Sequence, residues 1–360
     1  MKIVNYGSTF KIYEDDLKTF DQLPAGTYKV DFHPMSGFSL ERTTDFEAIE
    51  DQIYGEHEAK IQKVLNSYAQ FERSLGVILS GNKGMGKSLF GQLLSESVIK
   101  KFNMPIIIVN KPFVGIADFI DSIDQECLVF FDEFEKVFDE RKEHTESQDS
   151  LLGLFDGTSQ KKRMYVITVN NLNRVNEFML SRPGRFHYHL RFDYPNSREI
   201  EIYLKDKVKE QYHAEIKQVV SFAHRVKLNY DSLRAIAFEL NQGYSFKTAI
   251  SDLNILMTDR QEYDIEISFS NGKKHTARGY RLDIFAQEVE IELYVEGSDY
   301  IEVSFASSSL NSNSLDMYVS GEDVKLYCDS ENKHFTSDLE VRGVVIQHTK
   351  DRGVNYKLAF

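Results

Sequence analysis

The stretch "VILSGNKGMGKSLFGQLLSE", residues 77–96, decides the fold of this chain. An apolar run ends at Gly81, and the loop that follows fits the pattern G-x-x-x-x-G-K-[ST] at Gly81, Gly86, Lys87 and Ser88. Glycines allow backbone N–H groups to turn inward around phosphate oxygens, and the N-terminus of the amphipathic segment after the loop adds positive charge. The stretch therefore predicts a phosphate-binding loop between a strand and a helix, rather than an ordinary glycine-rich turn.

The ligand predicted for this loop is a nucleotide with Mg²⁺. We expect Lys87 to neutralise the β and γ phosphates and the Ser88 hydroxyl to bind the metal. Most of the phosphate contacts in such a loop come from the backbone. The predicted nucleotide-binding residues of the loop are Gly81, Asn82, Lys83, Gly84, Met85, Gly86, Lys87, Ser88 and Leu89.

A second motif, "CLVFFDEFEKVF" at residues 127–138, puts two acidic residues directly after an apolar strand. We expect Asp132 to anchor Mg²⁺ through water and Glu133 to activate the attacking water. An Asp-Glu pair alone is a weak signal, because such pairs also cap helices. Since this pair follows the phosphate loop by about 45 residues, the combination favours nucleotide hydrolysis.

A third motif, "VITVNNLNRVNEFMLSRPGRFHYHL" at residues 166–190, supplies an asparagine pair at a strand end and then two arginines. Together with "LLGLFDG" at residues 151–157, these motifs occur in the order typical of the AAA family of ATPases. The chain resembles the ring-forming members of that family over roughly residues 50–257. This set of motifs is far more specific than the phosphate loop alone.

The resemblance implies roles for further residues. Asn171 would orient the lytic water, with Asn170 as the alternative, and Arg182 and Arg185 would reach the γ-phosphate that a neighbouring subunit binds. A guanidinium fork matches phosphate oxygens, which agrees with this role. The competing interpretation is a surface turn with local ion pairs.

The resemblance also implies that the adenine lies near Tyr54 and Gly55, in the "IYG" segment at residues 53–55. A helical segment after the nucleotide-binding domain would form a lid over the nucleotide.

Short apolar strands alternate with helices from the phosphate loop to about residue 195, which is typical of a parallel sheet with helices on both faces. After it, apolar residues recur at helical spacing, and from about residue 262 apolar and polar residues alternate. The predicted fold class is an α/β P-loop NTPase sandwich with a helical lid, a small N-terminal β-rich unit and a C-terminal antiparallel β-domain. The predicted domains are residues 1–45 (β-rich), 46–195 (nucleotide-binding), 196–260 (lid) and 261–360 (antiparallel β, a candidate for partner binding).

The composition of the chain limits the classes of function that it can have. A net charge of −13 argues against a broad electrostatic grip on nucleic acid. No apolar run approaches the roughly 18 residues that span a bilayer, and the N-terminus lacks an apolar signal core, so we expect a soluble, cytoplasmic protein without a membrane partner. Cys127 and Cys328 lie in apolar runs and are expected to be small buried side chains.

The leading functional hypothesis is a Mg²⁺-dependent ATP hydrolase that assembles as a homo-oligomeric ring, expected to be a hexamer, and remodels, unfolds or disassembles a protein partner in a chaperone-like way. One alternative is an ATPase that handles nucleic acid, such as a replication or loading accessory. Another is an ATP-dependent scaffold that displays its β-domain. Phe113-Val114-Gly115 matches the pore loop of threading relatives, and the alternative is that Phe113 is buried at the start of a helix.

Overall fold

The computed structural model describes residues 2–6, 8–13, 18–44, 54, 57–139, 146–156, 161–180, 182, 184–255, 262–294, 300–312, 316–328 and 340–349. The chain divides into two compact units, Met1–Asp193 and Tyr194–Phe360. No helix in these described ranges is both long and apolar enough to cross a membrane.

The first unit is built on a central sheet. Its strands, together with those of a separate N-terminal hairpin, are β1 (Lys2–Tyr6), β2 (Thr9–Tyr13), β3 (Thr27–His33), β4 (Gly37–Arg42), β5 (Leu75–Ser80), β6 (Ile106–Val109), β7 (Leu128–Phe131), β8 (Met164–Val169) and β9 (Tyr188–Arg191). Strands β1 and β2 pair only with each other in the described part of the chain. The remaining strands form one sheet in the order β4-β3-β6-β7-β8-β5-β9.

Strands β3 and β5 to β9 run parallel to one another in this sheet, and β4 pairs antiparallel with β3. Every residue of β5, β6, β7 and β8 is buried, because the sheet is covered on both faces. The prediction of an α/β fold with a parallel sheet is therefore confirmed. The carboxyl ends of β5, β7 and β8 lie at the same edge, which is where ligands bind in such folds.

The helices of the first unit connect these strands. They are α1 (His57–Gln70), α2 (Lys87–Phe102), α3 (Ile116–Asp121), α4 (Phe134–Val137), α5 (Gln148–Phe155) and α6 (Glu177–Leu180), with a short 3₁₀ helix at Leu172–Arg174. Helix α2 shows how tightly a helix packs on the sheet. A side chain at Gly91 would lie 2.5 Å from the ring of Phe130 in β7, so the contact requires glycine there.

The hairpin β3–β4 lies within the stretch predicted as an N-terminal β-rich unit. In the structure it extends the central sheet, because β3 pairs in parallel with β6, with Thr27 opposite Ile106. The amide of Ile106 also donates to the carbonyl of Gly26, at 2.9 Å. The hairpin thus covers the edge of β6 that would otherwise be open.

The second unit begins with helices. These are α7 (Ser197–Lys207), α8 (Ile216–Ala223), α9 (Tyr230–Asn241) and α10 (Phe246–Asp252), with a 3₁₀ helix at Glu210–Glu215. Helix α7 starts at a capping box, in which the Asn196 side chain accepts from the backbone of Glu199 and the Glu199 side chain accepts from the backbone of Asn196.

The rest of the second unit is antiparallel. Its strands are β10 (Glu262–Phe269), β11 (Lys274–Arg281), β12 (Glu288–Tyr294), β13 (Tyr300–Ala306), β14 (Asn311–Ser312), β15 (Met317–Ser320), β16 (Lys325–Cys328) and β17 (Val341–His348), with 3₁₀ turns at Ser307–Ser309 and Gly321–Asp323. Their described parts form two sheets, in the orders β11-β10-β17-β15-β14 and β12-β13-β16, which share one apolar core. The outward face of β12 carries alternating glutamates.

Candidate nucleotide-binding site

The predicted phosphate loop joins the end of β5 to the start of α2, as its sequence pattern requires. Three of its glycines adopt positive φ angles, +145° at Gly81, +72° at Gly84 and +89° at Gly86. A side chain at Gly81 would also lie 2.2 Å from the carbonyl oxygen of Phe192. Glycine at these positions is therefore needed for both the backbone angles and the space, and the resulting loop can present N–H groups to an anion.

The Lys87 side chain lies along the loop and is 7% exposed. Its Nζ donates hydrogen bonds to the carbonyl of Gly81 at 2.5 Å, the carbonyl of Asn82 at 2.7 Å and Oδ1 of Asn170 at 3.0 Å. Burial lowers the pKa of Lys87. Carboxylates around it act in the opposite direction and favour the charged ammonium: Glu135, Asp132 and Glu133.

The other predicted loop residues differ in their solvent exposure. Asn82, Lys83 and Ser88 are exposed, and Leu89 is half-buried. Met85 is only 2% exposed, so its side chain anchors the loop in the core. The Ser88 hydroxyl stands in the first turn of α2, where it is free of the core and available to a ligand at the helix N-terminus.

The acidic pair follows β7, and Thr168 of the neighbouring strand β8 holds it. The Thr168 hydroxyl donates to Oδ1 of Asp132 at 2.7 Å and accepts from the backbone N–H of Glu133 at 2.8 Å. Thr168 is 1% exposed, and the sequence analysis missed it. Its only sequence signal is a hydroxyl side chain in an otherwise apolar strand.

Glu133 has a left-handed backbone, with φ at +47°, which is uncommon for a residue other than glycine. Its carboxylate accepts from Lys136 Nζ at 2.5 Å and lies 3.8 Å from Lys83 Nζ. The hydrogen bond from Lys136 is the main reason why the pKa of Glu133 lies below its ordinary value. Glu133 is thus an ionised, partly exposed carboxylate at the mouth of the loop.

Of the two asparagines after β8, Asn170 lies in this cluster. Its Nδ2 donates to Oε1 of Glu133 at 3.3 Å and to Oε1 of Glu135 at 3.2 Å, while its Oδ1 accepts from Lys87. Asn171 caps the short 3₁₀ helix that follows, since its Oδ1 accepts from the N–H of Asn173 at 3.0 Å. The contacts therefore favour Asn170, the alternative of the sequence analysis, over Asn171.

The two predicted arginine fingers differ in their surroundings. Arg185 is 6% exposed and forms a two-pronged ion pair with Asp156, through Nε to Oδ1 and through Nη2 to Oδ2 at 2.7 Å. Its Nη1 also donates to the carbonyl of Phe178 at 2.7 Å, and the pair holds the pKa of Asp156 below its ordinary value. Arg182 is exposed. The Arg185 guanidinium is therefore engaged within its own unit, whereas Arg182 is exposed, and the finger role of both arginines stays a prediction.

Aromatic rings pack beside the loop, where His57 Nε2 would lie 3.8 Å from a Cβ at Gly86. His57, the first residue of α1, stacks on Phe192 with ring centroids 5.3 Å apart and meets Phe90 edge-on at 5.9 Å. Burial is the main cause that lowers the pKa of His57 to about 4. Tyr54 is 8% exposed, and Gly55 lies outside the described residues. The sequence analysis did not single out His57.

The segment Phe113-Val114-Gly115 lies between β6 and α3. Phe113 is half-buried, with ring centroids 5.5 Å from Phe32 and 6.2 Å from Phe38, so the hairpin β3–β4 covers it. Val114 is 65% exposed, and Gly115 has a φ of +84° at the start of the helix. The packing agrees with the interpretation of Phe113 as a residue at a helix start.

Comparison with known proteins identifies the segment that contains this cluster. Residues 77–194 match the family model described as "ATPase family associated with various cellular activities (AAA)". This range includes the phosphate loop, the acidic pair, both asparagines and both arginines. The resemblance predicted from the motifs is therefore confirmed for this part of the chain.

Two relatives with similar sequences are ATP-dependent zinc metalloproteases. The ATP-dependent zinc metalloprotease FTSH 9, chloroplastic/mitochondrial, of Oryza sativa subsp. japonica is 32% identical over 148 residues, which are 37% of this chain and 19% of that protein. The ATP-dependent zinc metalloprotease FtsH of Aster yellows witches'-broom phytoplasma is 30% identical over 145 residues, 36% of this chain and 21% of that protein. The chain thus spans about a fifth of the length of these relatives.

A solved structure of RuvB from Thermotoga maritima aligns with a TM-score of 0.43 and 14% identity, covering 57% of this chain and 73% of that chain.

The described residues of the present chain contain no group of three or more histidine, cysteine, aspartate or glutamate side chains that could hold a metal ion by themselves.

Proposed function

We propose, because residues 77–194 are an AAA ATPase domain, that this chain binds and hydrolyses ATP in a Mg²⁺-dependent reaction at the cluster around Lys87. One observation carries the proposal. Lys87, Asn170 and Glu133, which come from three different strand ends, are linked by hydrogen bonds of 3.0 Å and 3.3 Å. A phosphate-binding cation and an ionised carboxylate are thereby held on either side of one amide, which is the arrangement that hydrolysis of a terminal phosphate needs.

Each residue then has a role that its surroundings support. The loop backbone and Lys87 bind the β and γ phosphates. Glu133 accepts a proton from the attacking water, which Asn170 orients. Bound Mg²⁺ would neutralise charge on the phosphates, and the residues that would hold it are Ser88 and, through water, Asp132.

The proposed assembly is a homo-oligomeric ring, expected to be a hexamer, in which Arg182 reaches the nucleotide of the neighbouring subunit. An arginine supplied in this way couples hydrolysis to assembly. The proposed partner is a protein that the ring remodels or unfolds. The relatives named above are ATP-dependent proteases, which is consistent with work on a protein substrate.

The first test is the ATPase rate per chain as a function of protein concentration. We expect the rate to rise steeply with concentration, since a shared site requires assembly, and to be unchanged by added DNA. Glu133→Gln should bind ATP and fail to hydrolyse it, whereas the exposed Glu72→Gln, outside the cluster, should behave as wild type. A rate that is flat with concentration argues against the shared site. A rate that appears only with DNA favours the nucleic-acid alternative.

A further inference from the structure

Glu135 is a buried acid that the roles above do not use. It is 2% exposed, and among the residues that the structure describes it is the only buried aspartate or glutamate. It follows Glu133 by two positions and lies in the first turn of α4. Buried carboxylates are rare unless they are paired, so its presence beneath the site needs an explanation.

The contacts of Glu135 are directed at one residue. Its Oε1 accepts the backbone N–H of Asn170 at 3.1 Å and the side-chain Nδ2 of the same residue at 3.2 Å. Its other oxygen, Oε2, is buried and has no hydrogen-bond partner within the described part of the chain. Glu135 therefore holds Asn170 at two points, by the main chain and by the amide.

This double contact fixes which way the Asn170 amide faces. Carboxylates only accept hydrogen bonds, and a lysine ammonium only donates them. Nδ2 must therefore face the carboxylates, and Oδ1 must face Lys87, where it lies 3.0 Å from Nζ. Without an acceptor at position 135, Nδ2 would keep one weaker contact, to Glu133 at 3.3 Å, and the amide would be free to turn.

Stability alone does not explain an acid at this position. A buried charge with one oxygen unpartnered is costly, and an apolar side chain of similar size is often as stable or more stable in such a place. Glu135 also acts to raise the pKa of Lys87, but its hydrogen bonds in the described part of the chain all go to Asn170, so these bonds are the specific role that its position offers.

We propose that Glu135 is a positioning residue for ATP hydrolysis: it fixes the Asn170 amide, and through it the relative positions of Lys87 and Glu133. The inference rests on the function proposed above. Glu135 acts through Asn170 and not by contact with the nucleotide.

The test compares variants of the full chain. Glu135→Met removes the acceptor at nearly constant size, and Glu135→Gln keeps one oxygen that can accept from Asn170. Gln148→Met is the matched control, because Gln148 is also 2% exposed and its Nε2 donates to the carbonyls of Phe138 and Arg174, far in sequence from the phosphate loop. Asn170→Ala and the double variant with Glu135→Met complete a double-mutant cycle.

We expect Glu135→Met to lower kcat about 10- to 100-fold with little change in KM, because orientation and not binding is lost. Glu135→Gln should retain most of the activity. The double variant should be no slower than Asn170→Ala alone, and Gln148→Met should change stability without this loss of kcat. If the effects of Glu135→Met and Asn170→Ala multiply, or if Glu135→Met retains wild-type kcat, the positioning role is wrong.

A second measurement does not depend on hydrolysis. In protein labelled with ¹⁵N-asparagine, the Asn170 side-chain amide is identified by its loss in Asn170→Ala. Its signals should shift in Glu135→Met and stay in place in Gln148→Met. Unchanged signals overturn the inference. An inactive wild-type protein whose Asn170 signals do shift would instead overturn the proposed function and leave the contact in place.

Discussion

Arg182 and Arg185 belong to one turn after α6, but Arg182 is exposed whereas Arg185 is buried and paired with Asp156. We expect Arg182→Ala to bind ATP and to unfold as wild type does, but to lose hydrolysis, because it removes an exposed arginine that the neighbouring site needs. Arg185→Ala should instead destabilise the fold by about 1–3 kcal/mol, because it removes a buried side chain that donates hydrogen bonds to Asp156 and to the carbonyl of Phe178. Urea unfolding followed by circular dichroism measures the second effect, and single-turnover hydrolysis measures the first.

The control for this pair of substitutions is Arg185→Ala combined with Asp156→Ala. If the ion pair is what Arg185 contributes, the double variant should be no less stable than Arg185→Ala. An Arg185→Ala protein that unfolds as wild type yet cannot hydrolyse ATP would restore the role of Arg185 as a finger.

Individual site residues were predictable where they belong to one short sequence motif. The glycine angles of the phosphate loop follow from a short motif, so the sequence could indicate which residues lie there. The choice between Asn170 and Asn171 depends on where β8 ends, and a shift of one residue turns a side chain to the other face. The pairing of Arg185 with Asp156 joins residues from different elements, and no periodicity in the sequence signals it.

At the scale of elements, the segment before α3 is fixed by its neighbours. Phe113 packs on two phenylalanines of the hairpin β3–β4, and the N–H of Gly115 donates to Oε2 of Glu146 at 2.5 Å. We expect Phe113→Ala to cost about 1–3 kcal/mol of unfolding free energy, through lost burial and ring contacts. Thermal and urea unfolding would measure this cost.

Val114→Ser is the matched control for this element, since Val114 is 65% exposed and its substitution should leave stability unchanged. If Phe113→Ala proves as stable as wild type and specifically fails to process a protein substrate, Phe113 acts on the substrate and the pore-loop interpretation is favoured.

Strands β5 to β8 of the parallel sheet were predictable because each is a continuous, largely apolar run. Strand β9, with the sequence YHLR, has no such run and was not predicted. The position of β3 in this sheet was not predictable. Its partial alternation is typical of a strand in a β-rich unit with one solvated face, and its parallel partner β6 follows it in sequence only after helices α1 and α2. Pairings over such distances depend on the whole topology, which local patterns do not encode.

At the scale of the whole molecule, the first unit requires its N-terminal segment. We expect a chain that lacks residues 1–44 to aggregate, because β6, whose residues Ile106–Val109 are all buried, would become an open apolar edge. A chain that lacks only residues 1–17 keeps β3 and β4 and should remain soluble. Light scattering and size-exclusion chromatography distinguish the two outcomes.

If the shorter chain stays monodisperse and binds ATP, the hairpin is dispensable and its pairing with β6 contributes little to the stability of the sheet. Equal aggregation of both deletions would instead assign the effect to the first 17 residues.

The position of β5 between β8 and β9 has a consequence for the synthesis of the chain. In the described part of the chain, the strand that leads into the phosphate loop pairs only with strands that come later, the second of which ends at Arg191. On the ribosome, β5 therefore waits for both neighbours until Arg191 has emerged. Such long-range pairing is slow and leaves apolar strands uncovered meanwhile. ATP can assist folding only after that point, so a nascent chain shorter than this has no nucleotide site to stabilise it.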